Sequence, residues 1–128
     1  MKTQYLMLVI PMIACLITGC GKGWQMDYGK VSAQFTQDTV AAKGKRWVGK
    51  KITVKGVVLK SKSDDHVAAW VELKNGIRCN FGHMWKMAES AKVGETVYVD
   101  GFLKRCDEGD VLMDPASLRD PTASFIPL

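Results

Sequence analysis

Two stretches of the chain read almost alike, and together they constrain the fold more than any other feature. Val48 to Lys60 reads Val-Gly-Lys-Lys-Ile-Thr-Val-Lys-Gly-Val-Val-Leu-Lys, and Val93 to Lys104 reads Val-Gly-Glu-Thr-Val-Tyr-Val-Asp-Gly-Phe-Leu-Lys. In each, apolar residues alternate with polar ones (Ile52, Val54 and Val58; Val97, Val99 and Leu103), the period of a strand with one face toward a core. Each copy is interrupted by a glycine, Gly56 or Gly101, of the kind that marks a bulge or sharp bend. After Gly56 the run Val57-Val58-Leu59 is apolar on both faces, as in a strand that leaves one sheet and enters another. Nothing else repeats between the copies, so they are two strands meeting one bending problem rather than halves of a duplicated domain.

The segments around the echo supply the other elements. Val67, Ala69, Val71 and Leu73 alternate, Asn75-Gly76 is a strong hairpin signal, and Ile77, Cys79 and Phe81 return inward. From His83 to Lys92, Met84, Met87, Ala88 and Ala91 share a helical face. Asp107-Glu108-Gly109-Asp110 turns the fourth strand into a short fifth, Val111-Leu112-Met113. Val31, Phe35 and Thr39 lie at helical spacing, with Ser32 near the start, and predict a helix over 31–42. The order is that of a mainly β protein: a five-stranded OB-fold Greek-key barrel, with a helix between strands 3 and 4 and a short helix before strand 1. In that topology the first and fourth strands are neighbours, which explains why both need a residue without a Cβ.

The N-terminus sets the address. A positive start, the apolar run Tyr5 to Ile17 and the small residues Thr18-Gly19-Cys20 read as an export signal, and the run is shorter than the roughly 20 residues a spanning helix needs. Ile17-Thr18-Gly19-Cys20 resembles the bacterial lipobox, which implies cleavage of residues 1–19, acylation of Cys20 and anchoring to the membrane by lipid. By the same resemblance Gly21 favours the outer membrane and a domain facing the periplasm. Residues 20–30 are then a tether, 31–118 the OB domain with its N-terminal helix, and 119–128 an irregular tail marked by Asp120-Pro121. In that oxidising compartment Cys79 and Cys106 are candidates for a disulfide, Cys79 being otherwise a small buried hydrophobe.

Trp47 to Val58, Gly76-Ile77-Arg78-Cys79-Asn80-Phe81 and Val93 to Gly101 resemble the bacterial tRNA_anti-like OB-fold family of small exported proteins and lipoproteins, over roughly residues 44–118. The resemblance implies the barrel and brings no catalytic residue with it. A second exported OB family, associated with stress in the periplasm, matches less well because its acidic hairpin is absent between Leu73 and Ile77.

Candidate chemistry is sparse. His66 beside Ser63-Asp64-Asp65 reads as a solvated turn, and Asp107, Glu108, Asp110 and Asp114 lack the order of a calcium loop. No enzyme, metal site or cofactor is expected. The chain carries a net charge of +5, and Lys43, Lys45, Arg46, Lys50, Lys51, Lys55, Lys60 and Lys62 run without an acidic residue among them. Such a run binds polyanions or keeps a strand edge soluble. Strand alternation puts Lys51 and Lys55 outward with Thr53, and both are counted with the candidate binding face. OB barrels bind on strands 2 and 3 and the loops after strands 1 and 4, which here selects Trp70, Arg78, Asn80, the loop Ser61 to His66 with Lys62, and Arg105. Two readings follow: an envelope lipoprotein that binds a protein or glycan partner, and, alternatively, an OB module that binds nucleic acid or another polyanion. An enzyme of unrecognised type ranks third.

Overall fold

The computed structural model describes residues 30–64 and 67–128. The expected signal, Cys20, the tether as far as residue 29, Asp65 and His66 lie outside the described residues. The elements are β1 (Ala33–Thr36), α1 (Val40–Lys43), a 3-10 turn (Lys45–Trp47), β2 (Lys51–Asp64), β3 (Ala68–Leu73), β4 (Ile77–Gly82), α2 (Trp85–Ser90), β5 (Thr96–Asp107) and β6 (Asp110–Leu118). Neighbours run β1-β2-β3-β4-β6-β5, and β2 also pairs with β5, so β2 to β6 close into the expected five-stranded OB barrel.

The stretch 31–42 corrects the helix expected there. Its first half is β1, parallel to β2 from Ala33 opposite Ile52 to Thr36 opposite Lys55, and only α1 is helical. Ala33, Gln34 and Phe35 are all buried, so both faces of the segment are covered, which a one-sided helical stripe does not provide.

β2 is the element on which the barrel closes. One edge pairs with β5 from Lys51 to Val57. The other takes β1 at 52–55 and then β3 from Val58 onward. Between Val58 and Lys60 the register slips by one residue: Val58 faces Leu73 while Lys60 faces Glu72, which leaves Leu59 as a bulge, half exposed. A one-residue slip exchanges the faces of everything beyond it. Ile52, Val54 and Val58 therefore point into the core, whereas Lys60 and Lys62 point out and the Ser61 hydroxyl turns inward to donate to Ala88 O at 2.6 Å. The second copy behaves alike: Leu103 pairs with Met113 and Arg105 with Leu112, so Lys104, also three residues beyond its glycine, is bulged.

The inward sets are as the alternation predicts, with Ala69, Val71, Leu73, Ile77, Cys79 and Phe81 buried; Val67 stands in the turn, exposed. Leu73 pairs with Ile77, so Lys74, Asn75 and Gly76 make a three-residue hairpin loop, in which Asn75 and Gly76 take positive φ (68° and 73°). Met87, Ala88 and Ala91 of the α2 segment are buried beneath the barrel. β6 is longer than expected because it continues through Pro115: opposite Gly101 and Leu103 it spends an extra residue, and a bulge is where a strand accommodates a missing N–H.

The expected disulfide is corrected. Cys79 and Cys106 are both free and buried, since β6 lies between their strands and two interstrand spacings of about 4.8 Å exceed disulfide reach. Cys106 Sγ instead donates to Val40 O at 3.2 Å, and burial, with Asp107 adding to it, raises its pKa. Burial pushes the Cys79 thiol up to about 12.

The two glycines of the echo do not face each other, for Gly56 opposes Val97 and Gly101 opposes Ile52. A Cβ at Gly101 would lie 2.8 Å from Pro115 O, which is backbone, whereas one at Gly56 would meet Leu73 Cδ1 at 2.9 Å, which can rotate. Gly101→Val should therefore lower the unfolding free energy by ~3 kcal/mol or more and Gly56→Val by ~1–3 kcal/mol in urea titrations; near-zero losses would contradict this packing. The thiols give a second prediction. Protein denatured without reductant should take up alkylating reagent at both Cys79 and Cys106, while the folded protein leaves Cys79 unlabelled at neutral pH. With a folded pKa above the unfolded one, Cys79 stabilises fully below about pH 9 and loses that contribution as pH rises toward about 12, so Cys79→Ala should flatten an alkaline decline in stability.

Candidate functional site

The bulge at Leu59 brings the outward residues of β2, β3 and β4 into register. Lys62, Trp70 and Asn80 form one cross-strand row, and Lys60, Glu72 and Arg78 form the next. The second row continues across the barrel through Leu112 of β6 to Arg105 of β5, whose own bulge aims it the same way. Lys60, Lys62, Trp70, Glu72 and Arg78 line an open groove of about 190 Å³. That is smaller than the roughly 300–1,000 Å³ of an enclosing ligand pocket, so the face is a platform along which a ligand lies.

Its charges are arranged unevenly. At one end Asp110 receives Arg105 Nε at 2.8 Å and Arg78 Nη2 at 3.8 Å, all three side chains being close to half exposed. Such exposed pairs contribute about 0–1 kcal/mol, so an incoming anion can take either guanidinium from Asp110 at little loss. Glu72, between Lys60 and Arg78 in the row, belongs to no ion pair among the described residues. Asn80 Oδ1 accepts from Gly82 N at 2.9 Å, which fixes the amide against its own hairpin.

Of the residues the sequence points to, Trp70, Arg78, Asn80, Lys62 and Arg105 share this face, and Lys60, Glu72 and Asp110 join them. Their signal is the slip after Val58, which alternation counted from Ile52 conceals. Ser61 to Asp64, expected as loop, continue β2. Lys51 and Lys55 are corrections. Lys51 and Thr53 are buried, and Lys55 lies over the rings of Tyr98 and Phe125 at 5.6 and 6.0 Å. Over Thr53 and Lys55 the cover is the 119–128 segment, irregular as expected but laid back across β1, β2 and β5. Gln34 Nε2 donates to Thr53 Oγ1 (3.2 Å) and Ser124 O (3.3 Å), and Thr53 Oγ1 donates to Asp100 Oδ1 (2.5 Å). Arg119 Nη1 pairs with Asp100 Oδ2 (2.9 Å), and the amides of Ile126 and Leu128 donate to Gln34 Oε1 (2.7 Å) and Gln34 O (2.9 Å). Elsewhere in the basic run, Lys45 pairs with Asp107 at 3.4 Å and Arg46 lies over Trp47 at 5.3 Å.

No family model and no curated protein sequence matches the chain. Among solved structures it is similar to a "putative nucleic acid-binding lipoprotein" from Klebsiella pneumoniae, 17% identical with a TM-score of 0.49, over 68% of this chain and 91% of that one. It is also similar to a "putative aspartyl-tRNA synthetase" from Leishmania major, 10% identical with a TM-score of 0.48, over 84% of this chain. The chain spans about a quarter (26%) of that enzyme's length.

Proposed function

We propose that this chain is a non-enzymatic, lipid-anchored OB module whose β2–β3–β4 face binds single-stranded nucleic acid. The observation that supports it is the placing of Lys60, Lys62 and Arg78 around Trp70 on one open face. Single strands are held by a cationic track for the backbone and an aromatic face on which a base stacks, worth about 1–3 kcal/mol per base. A protein partner is less suited to this surface. Interface centres are depleted of charge and built on desolvated apolar anchors, whereas Trp70 has Lys62 opposite it on β2, Asn80 opposite it on β4, and shares its groove with Lys60, Glu72 and Arg78.

The lipid anchor rests on Ile17-Thr18-Gly19-Cys20 and would hold the domain at the outer membrane, where it meets strands that reach the envelope. Cys20→Ser should abolish incorporation of labelled palmitate and release or leave uncleaved the exported chain; equal labelling of the variant would refute the anchor.

Binding itself is tested by salt. With three cations on phosphates, the affinity of the full chain for a labelled single strand should fall with log salt at a slope of roughly −2. Lys60→Ala should make that slope shallower by about 0.7. Trp70→Ala should weaken binding about tenfold or more and leave the slope unchanged, because it removes stacking and no charge. A salt-insensitive affinity would point back to a protein or neutral glycan partner.

A further inference from the structure

Resting on that reading, we infer that Glu72 is a specificity-determining residue that selects guanine for the base stacked on Trp70. The groove is cationic at its borders and carries a carboxylate in its floor: Glu72 lines it with Lys60, Lys62, Trp70 and Arg78. A surface meant only for phosphate gains nothing from that group, which repels a phosphate brought near it. Nor is Glu72 occupied in holding the face together, since the ion pairs beside it join Arg78 and Arg105 to Asp110.

Glu72 lies two residues along β3 from Trp70 on the same face, a separation of about 7 Å. A base stacked on the indole thus presents an edge toward the carboxylate, while its phosphates lie toward Lys60 and Lys62 on one side and Arg78 on the other. A carboxylate only accepts hydrogen bonds, with two oxygens side by side. Guanine offers two adjacent donors on its pairing edge, N1–H and N2–H, which meet both oxygens in a bidentate pair. Adenine and cytosine each offer an amino group beside a bare ring acceptor, which faces the second oxygen unfavourably, and thymine offers one N–H between two carbonyls. Glu72 therefore acts by rewarding guanine and by rejecting the other three through unpaired acceptors.

The test is fluorescence anisotropy of the full chain at fixed salt with four labelled dodecamers: dT alone, and dT alternating with dG, dA or dC. The dG strand should bind about tenfold tighter than the other three. Glu72→Gln keeps the size of the side chain but loses one acceptor and the charge, so it should erase that advantage and bind the dT strand at least as tightly as the wild type. Glu72→Ala, with the same melting temperature as the wild type, should do likewise. Strands that bind without preference for dG, or a dG preference that survives both substitutions, would overturn the role of Glu72 and leave the nucleic-acid reading in place. Failure of all four strands to bind would overturn both.

Discussion

A strand has two edges and two faces, and β2 uses all four. One edge closes the barrel on β5, and the other carries β1 and then β3. One face supplies Ile52, Val54 and Val58 to the core. The opposite face is sealed along the first half by the 119–128 segment and open along the second. The slip at Leu59 makes these uses compatible. Were β2 regular, Lys60 and Lys62 would continue the row of Val54 and Val58 into an apolar interior, where an unpaired ammonium is prohibitively expensive. With it, the two ammonium groups reach solvent and the inward positions pass to Ser61 and Ser63, whose hydroxyls bond to Ala88 O and Glu89 Oε1 of α2.

The same device recurs in β5, and that is the deeper meaning of the repeated sequence. Gly56 and Gly101 each let a neighbouring strand come close, β3 in the first case and β6 in the second. Three residues later each copy slips, at Leu59 and at Lys104. Small barrels have to coil their strands, and a close approach followed by a bulge is an economical way to coil one without breaking its ladder. The effect on the surface is that Lys60 and Arg105 come to opposite ends of a single row that crosses five strands.

The inward residues were legible in the sequence because their signal is local. Ala69, Val71 and Leu73, then Ile77, Cys79 and Phe81, need only alternation and the turn at Asn75-Gly76. What escaped depends on partners far along the chain. β1 exists because Ala33 to Thr36 find an edge of β2, and no propensity within 31–42 records that edge. Lys55 looks like a surface lysine until Tyr98 and Phe125 come beneath it, and Lys51 is buried although its alternation reads outward. The pairing of Cys79 with Cys106 is suggested by two thiols in an oxidising compartment, but the order of strands in the sheet interposes β6. For the candidate site, Trp70, Arg78, Asn80, Lys62 and Arg105 could be named from the fold, while Glu72 and Asp110 could not, since their importance lies in which cations they do and do not hold.

That difference between the two carboxylates shapes the field of the groove. Asp110 is nearly neutralised by Arg105 and Arg78, so the end of the row beside it presents guanidinium donors already spread in position, exchangeable between Asp110 and a ligand. Glu72, in the middle, enters no ion pair among the described residues. The face is thus positive along its margins and negative at its centre, next to its one large ring. A uniformly charged polyanion matches the margins only. On the proposed reading, a strand whose phosphates lie along those margins and whose flat rings turn a donor edge to the centre matches margin, centre and ring together, and Arg78 and Arg105 are already half exposed to meet it.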